Sequence, residues 1–269
     1  LSVYDRVELV TQNQGSDPRD RIGFTSELGC SVEPHGDTLV GRGKIVTELC
    51  LPGRDLVRPS VLLTWADIVT GSLANQHTQP QVCMTADLSV RMTSPVSLGS
   101  ELIATGRLLK IGRTLIFTEA IFTIAGSEEV VAESLGTFIA SPRPQDLGIA
   151  RIDDLAKAGP WMTGPSAPVS ELLQSYTVAP GIVEAPRTQR ILNWAETVQG
   201  GAISAIAEDA LLSLVDAPTP NELEVRYLSA IRVGPMRATA RRMGSWVRIE
   251  VTDVGNNNRL AAIAMAGGK

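Results

Sequence analysis

NWAETVQGGAISAIAEDALL, residues 193–212, joins an asparagine to a Gln-Gly-Gly turn six residues later and then to a helix of small apolar residues. That helix carries two acids, Glu208 and Asp209, on a surface whose burial would penalise a charge. The same shape occurs earlier in RPSVLLTWADIVTGSLAN, residues 58–75. With Gly200-Gly201 laid on Pro59-Ser60, Glu208 falls on Asp67, 141 residues before it.

Each helical stretch is followed by strand-like runs. After the first come VCMTADLSVRM, ELIATGRLLKIG, TLIFTEAIFTIAG and EVVAESLGTFIAS; after the second come ELEVRYLSAIRVG, MRATARRMG, SWVRIEVTDVG and RLAAIAMAG. TLVGRGKIVTELC reads as a further strand ahead of the first helix. Their β-branched content and partial alternation are strand signals, and SPVSLGS and AGSEE are turn signals. MTSPVSLG echoes YLSAIRVG, and LLKIGRTLIF echoes ARRMGSWVRI. Gly112 to Gly244 is 132 residues, close to the offset of the acids, as one shorter loop would give. We read the chain as an internal duplication of an α+β unit, with residues 1–145 and 166–269 as the two copies. The Pro-rich stretch 146–165 is the linker and holds a short helix.

In the first helix, apolar residues cover most of the circumference and leave Thr64, Asp67 and Gly71 as a thin polar stripe. A helix so apolar is normally buried, which an antiparallel sheet wrapped around it would achieve. Asp67 then either marks a solvent-facing edge or sits partly desolvated beside something that needs a carboxylate.

Composition narrows the function. The chain has 269 residues and a net charge of −5, and no apolar run approaches the roughly 18 residues of a membrane span. No signal-peptide pattern opens the chain, which begins with Leu rather than Met. Neither a continuous basic helix nor a nucleic-acid-reading motif is present. Arg226, Arg232, Arg237, Arg241, Arg242 and Arg248 crowd the last strands, as a solvated strand face or as an anchor for a phosphate-bearing ligand. Three cysteines without CxxC spacing and two distant histidines give no metal motif, so neither metal nor cofactor is expected, in a cytoplasmic protein with reduced thiols.

The combination resembles the hotdog-fold acyl-CoA thioesterases, and its coverage of both halves is similar to a tandem, double-hotdog arrangement. The family pattern has an Asn, a His-Gly-Gly turn, an acid eight residues into the helix and a hydroxyl residue on the next strand. It implies a site shared across the interface between two hotdogs. Asn193, Gln199, Gly200 and Gly201 match the Asn and the turn, with Gln for His. Asp67 matches the acid, and Thr85, 18 residues further on, matches the hydroxyl. The reciprocal site keeps Glu208 but has Pro52 for the Asn, Arg58-Pro59-Ser60 for the turn and Pro220 for the hydroxyl. The resemblance thus implies one composite site and one degenerate one, with an acyl-CoA or acyl carrier thioester as substrate.

A glycine pair at a helix start allows close backbone approach, and the free N–H groups there favour charge developing on a thioester oxygen. Asn193 and Gln199 could add donors, and Asp67 could act as general base toward a water held by Thr85, or as nucleophile. Lys110 and Arg113, at the turn in LLKIGRTLIF, would meet the nucleotide end of CoA or simply be solvated. Trp65 and Ile68 would line an acyl tunnel or belong to the core. A non-catalytic acyl-CoA-binding or structural hotdog is the competing expectation, because Gln cannot titrate as His does. A hydratase would need a His–Asp pair that His35 and His77 do not supply. Sheet edges and open faces lead us to expect a homodimer.

Overall fold

A computed structural model describes residues 23–79, 81–144, 164–193 and 195–268. Residues 1–22 and most of the linker, with its expected short helix, lie outside the described residues.

The first half begins with a helical turn, α1 (Phe24–Glu27), and a hairpin of β1 (Ser31–His35) and β2 (Thr38–Lys44). The long helix α2 (Pro59–Thr78) follows, then β3 (Gln81–Met92), β4 (Glu101–Ile111), β5 (Leu115–Ile124) and β6 (Val130–Pro144). In the second half the order returns. Helix α3 (Val169–Leu173), β7 (Tyr176–Ala179) and β8 (Ile182–Ala185) precede helix α4 (Gly200–Leu212). Then come β9 (Pro220–Tyr227), β10 (Met236–Met243), β11 (Trp246–Asp253) and β12 (Arg259–Gly268). The described strands form one sheet in the order β1-β2-β4-β5-β6-β3-β9-β12-β11-β10-β8-β7. Each half is an antiparallel sheet wrapped around its own helix, a tandem hotdog.

The halves join where β3 pairs antiparallel with β9, from Asp87 opposite Arg226 to Arg91 opposite Glu222. That ladder centres on Ser89 and Glu224, and a pseudo-two-fold axis passes there. It sets α2 and α4 against each other in the middle of the molecule.

Duplication extends to single hydrogen bonds. Arg58 N–H donates to Leu49 O, and Gln199 N–H donates to Ile191 O. Bridges pair Cys50 with Val57 and Leu192 with Val198, and Val57 and Val198 each donate to the following loop, at Val96 and Ile231. Both loops leading to the helices contain a short 3-10 turn, Thr47–Leu49 and Gln189–Ile191. The expected strand through residue 50 therefore stops at Lys44: the chain must turn off the sheet to enter α2.

Burial of α2 is tight because glycines on neighbouring strands admit it. A Cβ at Gly43 would lie 2.3 Å from the Trp65 ring, and one at Gly106 would lie 2.5 Å from Val69. Trp65 is fully buried and its indole N–H donates to Leu28 O at 3.2 Å. Of the two roles expected for it, tunnel wall or core, its full burial fits the core. The large flat ring is stabilised by the space the strand glycines leave. All three cysteines are free.

Candidate active site

On α2, Asp67 is half-buried, three residues beyond Thr64, which faces the start of α4. Thr85 on β3 donates its hydroxyl to Asp67 Oδ1 at 2.8 Å. Burial pushes the Asp67 carboxyl up to about 6, against the lowering effect of the Thr85 hydroxyl. Cys83 lies close enough to feel that charge, and burial first and then Asp67 push its thiol up to about 12, so it is no nucleophile.

From the second half, the Gln-Gly-Gly turn starts α4 with Gln199 as the N-cap. Gly200 packs under Tyr227, whose hydroxyl donates to Gly200 O at 3.2 Å. A Cβ at Gly200 would meet the Tyr227 ring at 3.2 Å, and one at Gly201 would meet Thr64 Oγ1 at 2.6 Å. The glycine pair is thus required first by helix–helix and helix–strand packing, and the space beside Gly201 belongs to Thr64. The side-chain face of the pair is therefore filled by Thr64 and Tyr227. What remains for a ligand is the N–H face, because first-turn N–H groups have no intrahelical acceptor and those of Gly200 and Gly201 make no hydrogen bond among the described residues. Desolvation of the half-buried Tyr227, and then the Asp67 charge beside it, hold its hydroxyl pKa well above the usual range.

The remaining expected residues divide. Gln199 Oε1 accepts a hydrogen bond from Thr25 of α1, which leaves its amide N–H groups as the free end. Asn193 Oδ1 accepts from Ala195 N–H at 2.9 Å, Thr197 N–H at 3.2 Å and the Thr197 hydroxyl at 3.1 Å. Its carbonyl therefore braces its own loop. Lys110 and Arg113 are exposed at the β4–β5 turn, at the end of the sheet where Thr85 pairs with Phe138 and Phe138 with Ile116. The arginine cluster is a strand surface: Arg226 pairs with Glu224, Arg237 with Glu184 and Arg248 with Glu250.

The pseudo-equivalent position is closed. Arg58, in the place of Gln199, is 1% exposed and pairs with both Glu208 and Asp209 of α4. Ser60, in the place of Gly201, donates its N–H to Glu208 Oε1 at 3.2 Å and its hydroxyl to Oε2 at 2.7 Å. Ser170 and Ser175 bind Asp209 at 2.8 and 2.7 Å. Burial opposes the Arg58 charge, but the two carboxylates more than offset it and hold the guanidinium above its ordinary value.

The sequence gives Thr25 and Tyr227 no role, and it shows Thr64 only as part of the polar stripe and Ser60 only as part of the altered turn. Only Tyr227 carried a signal, an aromatic residue at the position where the first copy has Met92.

Residues 59–131 match the family model of the Thioesterase superfamily. That segment contains Asp67 and Thr85. Similar solved structures include an acyl-ACP thioesterase from Bacteroides thetaiotaomicron, at 9% identity and TM-score 0.60, covering 86% of this chain and 97% of that one. The 12:0-ACP thioesterase from Umbellularia californica aligns at 12% identity and TM-score 0.59, covering 87% and 98%. Both likenesses run through the two halves and establish the fold. A search of curated protein sequences gives no match.

Proposed function

We propose that the protein hydrolyses an acyl thioester, with acyl-CoA as the substrate, at one composite site made from Asp67 and Thr85 of the first half and the Gln199-Gly200-Gly201 turn of the second. The observation that carries this reading is the contrast between the two turn positions. Glu208 occupies the Ser60 N–H of the closed one, whereas Thr85 holds Asp67 by one oxygen and the Gly200 and Gly201 N–H groups stay open. The thioester oxygen would accept from those N–H groups and from the Gln199 amide, at the positive end of α4. Asp67 Oδ2 would take a proton from water as the water attacks the carbonyl carbon, and the thiolate would leave. A carboxylate with pKa near 6 is ionised at neutral pH yet more basic than a solvated one, which suits a general base. Thr85 orients it through Oδ1.

The similar full-length structures are named as acyl-ACP thioesterases, so acyl carrier protein is the alternative carrier. Exposed Lys110 and Arg113, near the Thr85 end of the sheet, suit the phosphates of either carrier arm. A second reading, an acyl-CoA-binding protein without turnover, is favoured by Gln199, which cannot carry a proton. A panel of acyl-CoAs and acyl carrier thioesters, followed by thiol release, separates these readings. Release abolished by Asp67→Asn supports the hydrolase; binding without release by the wild type overturns it.

A further inference from the structure

The axis that relates Asp67 to Glu208 also relates Tyr227 to Met92. Tyr227 lies one residue beyond the Asp87–Arg226 rung of the central ladder, and Met92 one residue beyond the Arg91–Glu222 rung. Tyr227 fills the space beside Gly200. Met92, thinner and unbranched, leaves a cavity of about 180 Å³ at the closed position, walled by Leu51, Leu56, Val57, Met92 and Pro220 with Asn221 at its polar side.

The cavity has lost its chemistry. Glu208, the acid of this position, is 1% exposed and bound by Arg58 and Ser60. No acid, histidine or cysteine lines the cavity, so it can bind but not hydrolyse. Its walls call for an apolar chain. Its rim calls for a negative head. Arg54, exposed, reaches across to the hydroxyl of the rim residue Thr219 and has no carboxylate partner among the described residues. The half-buried Asn221 amide likewise has no partner among them.

We propose that this pocket is a second, non-catalytic site for a free aliphatic carboxylic acid of short to medium length, with the chain among Leu51, Leu56 and Met92 and the carboxylate between Arg54 and Asn221. That such an acid is also the product released at the composite site rests on the thioesterase reading; the binding itself does not.

Octanoate, with octanol as the uncharged control, is the probe, and the readouts are calorimetry and the methyl resonance of Met92. We expect a saturable Met92 shift with octanoate, weaker with octanol, and binding about tenfold weaker in Arg54→Gln, as the loss of one charge-assisted contact gives. Leu56→Trp should fill the pocket and abolish the Met92 response while hydrolysis without octanoate stays within about twofold. Octanoate binding that leaves Met92 unmoved, or that is equal in wild type and Arg54→Gln, overturns the site. Should Leu56→Trp fail to fold, Arg54→Gln and octanol still decide it. A Met92 response in a protein that releases no thiol would sink the thioesterase and leave the acid site standing.

Discussion

Ser60 gives Glu208 both its N–H and its hydroxyl, whereas Gly201, at the same place on the other helix, gives Asp67 neither. A one-carbon-shorter acid, held back by Thr85, and a glycine in place of a serine separate an open turn from a closed one. The pseudo-symmetry of the fold makes the two directly comparable.

Asp67→Asn should lower thioester hydrolysis by about 100-fold or more, the scale of losing a general base. Glu208→Gln should leave the rate within about threefold, because its carboxylate is already spent on Arg58 and Ser60. Parallel thiol-release assays of the two variants check this. Equal losses would mean that both positions turn over.

The hydrolysis rate should rise with pH through about 6 and then level off as Asp67 ionises. Thr85→Val removes the hydrogen bond that stabilises the carboxylate, so the midpoint should move upward. A pH–rate profile of both proteins measures the shift.

Asp67 also makes a stability prediction. Its folded pKa is raised above the unfolded value, so the folded protein binds the proton more tightly and stability falls as pH rises from about 4 to about 6. Above that range the ionised acid costs about 1–3 kcal/mol. Asp67→Asn should therefore raise the melting temperature at pH 8 and change it little at pH 4, as thermal unfolding at the two values would reveal.

Arg58→Ala leaves Glu208 and Asp209 buried without their cation, and should destabilise the fold by about 3–5 kcal/mol. The double change Arg58→Met with Glu208→Leu should lose less than Arg58→Ala alone, since it removes charge from both sides. Chemical denaturation of the three variants is the check.

Gly201→Ala should cost about 1–3 kcal/mol through overpacking against Thr64 Oγ1, at 2.6 Å from the added methyl. Adding Thr64→Ala should recover part of the loss. If Gly201→Ala were as stable as wild type, the close packing of α2 on α4 would be wrong.

Much of this was legible in the order of residues. Two apolar helices, each followed by strands, and the echo of residues 58–75 in 193–212 sufficed for a duplicated α+β unit, because helix and strand periodicities and repeats are local properties of a chain. The acid on each helix could be located by overlaying the two copies, whereas Thr85 followed from the resemblance to the hotdog thioesterases. Trp65 could not be assigned: a tunnel wall and a core residue have the same sequence pattern, and its full burial, in the space that Gly43 leaves, is a tertiary property. The role of the glycine pair was likewise open until Thr64 and Tyr227 were seen against it.

The sequence by itself determined the repeat, its helices and the acids on them. Tertiary structure decided which acid is tied down. Arg58 and Glu208 are 150 residues apart and come together only because β3 pairs with β9 and drives α2 onto α4. Desolvation acts on the assembled interface, so the same kind of side chain becomes half of a buried ion pair at Glu208 and a raised, half-exposed carboxylate at Asp67.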